Sequence, residues 1–422
     1  MSARPVALLL ACLLLGACAT EGALAGLKRP RPTDVPRGEV ETAMAPNALQ
    51  AYNDYATPGL AFPSAHATVH YVLLGIDAPP LNDDDGNAVP DYVERVGAAA
   101  DAAIDYYERR GFRAIRPDSA GPDGRPDLYI SRFTPGLLGV AFPAARAEGG
   151  AFAVVSNALD PSAGVSFASA YGTVAHEIFH LVQFSYFRAT DEPELPPWVL
   201  EGTAAGLETR VYPELEDIVS SLQLRAWLRS PQRTIADQTY GAQLLWRQLD
   251  ERYPRLLPAV LARFASHRKL GSGRAAVVDT FAHVTRRPFA SAFHRFAVFA
   301  ADAYGDRLTA YRVLAPGERH HAAVAPLAIH YLRLGRRPCS LTVTFSDGRA
   351  AAGVALVYQW ESDVAGYASA LRQITGRASS GGKRLTFSVP IALARSPRFA
   401  TPLLVVSNGG ASGHLAYSVA VR

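Results

Sequence analysis

The stretch AHEIFHLVQF, residues 175–184, sets two histidines four positions apart with a glutamate directly after the first, inside a run that is otherwise apolar apart from Gln183. At 3.6 residues per turn His176 and His180 fall on one helical face, one turn apart, so two imidazoles can grip a single metal ion. Glu177 projects about 100° further round the axis, where it reaches a water rather than the ion. This pattern constrains the rest of the fold. Two histidines leave a metal one protein ligand short, so another element has to deliver the third and leave a corner open for solvent. The plain alternative is a core helix that happens to carry two histidines.

The third ligand has a candidate. PPWVLEGTA, residues 196–204, reads as a helix opened by proline, with Glu201 between Trp198 and the small residues Gly202 and Ala204, which permit close packing. Together the two segments resemble the gluzincin branch of the zinc metallopeptidases, the thermolysin-like and M1-aminopeptidase-like enzymes. These carry HExxH and then a glutamate ligand on the next helix, often as W-x-x-E-G. The resemblance implies zinc on His176, His180 and Glu201, Glu177 as general base, and hydrolysis of peptide bonds in a peptide or protein substrate. It also implies a zincin-like catalytic domain, a small sheet plus a helical subdomain bearing the HExxH helix. The order of parts is similar to a group of secreted bacterial gluzincins with an acidic loop before the site and a β-domain after it, and the specific motifs span residues 64–255.

The same resemblance points to an oxyanion donor. M1 enzymes use a tyrosine shortly before a glycine, and Tyr240-Gly241 makes Tyr240 the candidate here, an ordinary buried tyrosine being the alternative. Two positions depart from the family. Ala205 stands where thermolysin-like enzymes have an acidic residue that orients the first histidine, so that support has to come from Glu208 or a backbone carbonyl. No G-x-M-E-N-like strand is present to hold a free N-terminus, which favours endopeptidase over aminopeptidase action.

The N-terminus sets the compartment. A single arginine, then VALLLACLLLGA (6–17), then Cys18 reads as an export signal too short to span a bilayer permanently. Its end, LLGAC, resembles a bacterial lipobox. The resemblance implies cleavage before Cys18, acylation of that residue, and a chain held at the membrane of the bacterial envelope by lipid rather than by a spanning helix. An ordinary signal cleaved nearby is the alternative. With Cys12 removed and Cys18 acylated, Cys339 is left alone and no intramolecular disulfide can form. The formal charge is only +4, from 42 basic and 38 acidic residues mixed along the chain, which argues against nucleic acid as a partner.

Periodicity gives the organisation. Residues 1–17 are the signal and 18–58 a tether rich in proline, glycine and charge. Residues 59–325 form the candidate catalytic domain and 326–422 a C-terminal antiparallel β-sandwich, an α+β chain overall. Strands are expected over 66–76, 126–133 and 151–157, and a helix from 91 with Val93, Val96, Ala100, Ile104 and Tyr107 on one face. Helices are expected over 171–188, 197–210, 214–229 and 240–252, with more between 256 and 312.

The loop DDDGNAVPDYVE (83–94) sets Asp83, Asp85, Asn87, Asp91 and Glu94 at ligand positions 1, 3, 5, 9 and 12 of an EF-hand-like calcium loop, with Ala88 where glycine is usual. A solvated acidic turn capping the next helix is the alternative. DSAGPDGRPD (118–127) offers Asp118, Asp123 and Asp127 more sparsely and reads as turn chemistry. His66 and His70 on a strand would stand roughly 13 Å apart, too far to share an ion. His320 and His321 read as surface residues beside a loop. Two further function classes stay open from sequence: a catalytically inactive binding lipoprotein, and a calcium-stabilised envelope protein.

Overall fold

The computed structural model describes residues 59–116, 124–133, 138–143, 150–159, 167–187, 195–213, 220–266, 271–305, 307–334, 340–346, 351–360, 370–379, 383–389 and 402–422. The signal and tether, Cys18, Asp118, Asp123 and Cys339 lie outside them. The fold is mixed α+β, with eight α-helices and three five-stranded sheets among the described residues. No helix among them is long and apolar enough to cross a membrane.

The chain divides into two compact units. The first takes the described residues up to Leu195 together with those of Leu200–Gln223 and Leu257–Lys269; the second takes those of Pro196–Val199, Leu224–Leu256 and Leu270–Arg422. This line differs from the one drawn at 325/326 by the change of texture in the sequence. The helical segments 224–256 and 270–305 cluster with the sandwich, because chain contacts follow tertiary packing rather than secondary-structure type.

In the first unit a mixed sheet is ordered β1-β2-β3-β5-β4, from Leu60–Pro63, Thr68–Tyr71, Asp127–Ser131, Ala151–Ser156 and Gly139–Pro143 respectively. β2, β3 and β5 run parallel, while β1 and β4 pair antiparallel at the two edges. β3 and β5 are buried along their whole length, as central parallel strands covered on both faces should be. Helices α1 (Asp91–Arg109) and α2 (Phe167–Phe184) pack together through Tyr107, whose hydroxyl donates to Ala175 O at 2.9 Å and whose ring meets Phe179 edge-on. All five residues expected on the buried face of α1 are buried. The strand expected over 66–76 is a correction: β2 stops at Tyr71. Gly75, with φ +91°, and the buried carboxylate of Asp77 turn the following segment into a loop.

α3 (Pro197–Val211) is buried on every side from Glu201 to Thr209, so its position is set by tertiary packing all round rather than by one apolar stripe. α4 (Ser220–Arg229) starts later than the expected 214, the residues before it being outside the described set. α5 (Gln243–Arg252), α6 (Leu256–Ser266), α7 (Arg274–Thr285) and α8 (Phe289–Tyr304) complete the helices.

In the second unit two sheets share one core. One is ordered β11-β10-β14-β8-β6 (Ala370–Ile374, Ala352–Trp360, Leu403–Asn408, Ala328–Leu334, Arg312–Leu314) and the other β12-β13-β9-β15-β7 (Arg377–Ala378, Arg384–Ser388, Ser340–Phe345, Leu415–Val421, Arg319–Val324). Leu332, Leu356, Leu404 and Val406 of the first meet Leu341, Val343, Phe345, Val419 and Val421 of the second. Among the described residues of 326–422 every pairing is antiparallel, as expected; β6 and β7 join from before residue 326, β7 antiparallel to β15 and β6 parallel to β8. His320 and His321 belong to β7. α8 covers the outer face of β8, β10 and β14: His294 Nδ1 lies 3.0 Å from Ser407 Oγ, and a Cβ on Gly353 would stand 2.2 Å from the His294 ring.

Candidate metal centre

α2 carries His176, Glu177 and His180, and α3 carries Glu201, so the carboxylate that meets the two imidazoles comes from the helix the sequence indicated. His176 Nε2 lies 3.2 Å and His180 Nε2 3.5 Å from the same oxygen, Glu201 Oε2. One ligand atom from each of the three residues falls within 4.8 Å of the others. Bonds of about 2.0–2.1 Å to a tetrahedral zinc would set such donors about 3.3 Å apart. The two imidazole–carboxylate distances already match that spacing, and the widest donor pair, up to 4.8 Å apart, has to close by up to about 1.5 Å to accept the ion. Among the described residues no other group of three histidine, cysteine or acidic side chains converges in this way.

The outer nitrogens of both rings are anchored. His176 Nδ1 donates to Glu208 Oε2 at 2.8 Å, and His180 Nδ1 donates to Gln183 Oε1 at 2.7 Å. The direction of the second bond follows from the amide. Gln183 Nε2 spends its hydrogens on Leu200 O at 2.8 Å and Thr203 Oγ1 at 2.9 Å, so Oε1 is left to accept. Each ring is thereby held with Nε2 facing Glu201, and in the neutral ring the outer bond keeps the proton on Nδ1 and leaves Nε2 as the atom that can bind an ion. Glu208 is the residue the sequence offered in place of the missing acid at 205. Seven residues beyond Glu201, it returns to the same face two turns on, so the two carboxylates bracket the His176 ring. Gln183 was not foreseen. Its only sequence signal is a lone amide in the apolar run after the motif, and what it meets depends on how α3 docks.

Glu177, Glu201 and Glu208 are all buried, and His176 keeps only a small exposed area. Burial alone would push the imidazoles toward neutrality. The surrounding carboxylates overrule it and raise His176 well above the ordinary imidazole range, with His180 raised as well. Burial likewise favours a protonated Glu201, yet the two imidazoles on either side hold it far below the usual carboxylate range. Burial raises Glu177 and Glu208, and their histidine neighbours offset this only in part. Rings drawn toward imidazolium mark a pocket of buried carboxylates short of positive charge. The donor set, two imidazoles and a carboxylate, suits a borderline-soft divalent ion such as zinc.

Glu177 is held from the sheet. The backbone of Gly139, at the start of edge strand β4, comes so close that a Cβ there would lie 2.7 Å from Glu177 Cγ and 2.8 Å from its Oε1. Just past the far end of α2, Arg116 Nη2 donates to Ser185 O and Phe187 O, placing a cation beside the helix's C-terminus.

The other candidates fall elsewhere. Tyr240 sits half-buried in the short 3-10 helix Thr239–Ala242 of the second unit. In the acidic loop Asp83 accepts from the backbone of Gly86, Asn87 and Ala88, and Asn87 Nδ2 donates to Asp85 and to Glu94. Ala88 takes the left-handed φ of +67° that glycine usually supplies at that position. His66 and His70 each have their own acid, Asp105 at 3.1 Å and Asp127 at 2.7 Å, rather than a shared ion. The chain matches no protein-family model and no curated protein.

Proposed function

We propose that the chain is a lipid-anchored, zinc-dependent peptidase of the gluzincin type, with a zincin-like first unit, acting on peptide bonds within a chain rather than at its free terminus. The carrying observation is the meeting of His176 Nε2, His180 Nε2 and Glu201 Oε2, with both outer ring nitrogens pinned. When bound there, zinc supplies a Lewis acid that acidifies water and polarises a carbonyl.

Glu177 takes the proton of the attacking water and passes it to the departing amine. Glu208 and Gln183 keep the two rings in register and in the required tautomer. β4 is the sheet's edge among the described residues, and its Gly139 touches Glu177, so an extended peptide added along that edge would bring its backbone to the base. Tyr240 is kept as the candidate oxyanion donor. Asp83, Asp85, Asn87, Asp91 and Glu94 are kept as a candidate structural calcium loop.

The test is zinc content and casein hydrolysis of the purified chain, alongside His180→Ala and Glu177→Gln. The parent should hold stoichiometric zinc and cleave casein. His180→Ala should lose the metal. Glu177→Gln should keep the metal and lose activity by about 10²- to 10⁴-fold. Zinc-loaded parent and Glu177→Gln proteins with equal, null activity would leave a binding protein in place of an enzyme.

A further inference from the structure

Of the seven large apolar side chains that stay exposed among the described residues, five fall within one short stretch: Leu60, Leu73, Leu74, Ile76 and Leu81, with exposures of 41, 40, 69, 58 and 51%. The segment that presents them is fixed rather than loose. Asp77, buried, accepts from Ser131 Oγ at 2.9 Å and from Arg132 N at 3.0 Å, and Asn157 Nδ2 donates to Ile76 O and Ala78 O. Gly75, at φ +91°, makes the turn between Leu74 and Ile76 that a residue with a Cβ would resist. From Gly59 to Asn82 the only acidic or basic side chain besides two histidines is that buried Asp77. A preorganised, uncharged, aliphatic loop on the surface of a folded unit marks an interaction site.

Chain connectivity says which. β1 pairs antiparallel with β2 so that Leu60 lies opposite Tyr71, two residues ahead of Leu73. The chain leading from Cys18 therefore enters the fold beside the exposed aliphatic residues. We propose that Leu60, Leu73, Leu74, Ile76 and Leu81 form a lipid-docking surface that seats the first unit on the bilayer into which Cys18 is acylated, a proposal that rests on the lipid-anchor reading. Asp83, Asp84 and Asp85, which follow at once, repel anionic headgroups, so the contact is apolar and favours neutral lipid.

The test uses the full acylated protein reconstituted into phosphatidylcholine vesicles with and without dibrominated acyl chains. Leu74→Trp, Ile76→Trp and, as a comparison of similar exposure in the second unit, Val313→Trp are read as fluorescence differences from the parent. The added signal at 74 and 76 should be quenched by about half or more in brominated vesicles, as expected for side chains entering the headgroup and acyl boundary, and that at 313 unaffected. Protein that floats with the vesicles but shows no quenching at 74 and 76, or equal quenching at 313, overturns the docking surface and leaves the anchor standing. Blue-shifted, unquenched emission at 74 together with chemical cross-linking into dimers assigns the loop to a second copy of the chain and also overturns it. A parent that neither carries acyl chains nor floats removes the anchor and the docking surface together.

Discussion

Replacing Gly139 with alanine should separate metal binding from catalysis. The new Cβ would stand 2.7 Å from Glu177 Cγ, 2.8 Å from Oε1 and 3.0 Å from Cδ, whereas ordinary contact begins at 3.4 Å. If β4 holds its place, the Glu177 side chain has to retreat by about 0.7 Å, and displacement on that scale costs a reaction on the order of 30- to 100-fold. That is about 2–2.7 kcal/mol of barrier. None of the three ligands is touched, so zinc content and affinity should match the parent. The crowding should also lower stability by about 1–3 kcal/mol, so activity is measured well below the melting transition. The assay is kcat and KM on a quenched fluorescent peptide, with bound zinc determined on the same sample. Serine at 139 should behave alike. A zinc-loaded Gly139→Ala protein with kcat within threefold of the parent would refute the claim that β4 positions the base.

Three further outcomes are expected. Glu208→Ala removes the acceptor of His176 Nδ1 and should weaken zinc binding by about 10- to 100-fold, measured by competition with a chelator; unchanged affinity would deny the bracket a role. Gln183→Leu leaves Leu200 O and Thr203 Oγ1 without their buried donor and should destabilise the protein by about 1–3 kcal/mol in urea unfolding as well as weakening zinc binding. A loss of stability with full zinc affinity would show a purely structural glutamine. Burial, helped by nearby positive charge, lowers His294 and His330 from 6.5 to about 4. Between those values the unfolded chain binds protons that the folded chain refuses, so their contribution to stability is whole above about pH 6.5 and lost as the pH falls toward 4. His330→Gln should flatten that dependence in urea melts between pH 7.5 and 4.5, and an unchanged slope would count against it.

How much of this was legible in the sequence depended on how local the signal was. The helix carrying His176 and His180 is set by spacing and apolar flanks over a few residues, and the second helix by proline, small residues and one glutamate. Both were expected near where they occur. The sandwich was legible because strands such as Ser340–Phe345 and Leu415–Val421 alternate between the core and the outside, a period visible in the sequence itself. Residues 72–76 read as strand because their aliphatic character is strand-like. The turn at Gly75 and the burial of Asp77 depend on partners more than fifty positions away.

The sequence by itself determined the donor types, the pairing of two imidazoles on one helical face and the second helix from which a carboxylate comes, because backbone periodicity fixes neighbours three, four and seven residues apart. Only the tertiary structure decided that Glu208 rather than a backbone carbonyl steadies His176, that Gln183 fixes the tautomer of His180, and that Gly139 meets Glu177. Each of those depends on the distance and angle between elements remote in sequence, and no local rule encodes a docking geometry.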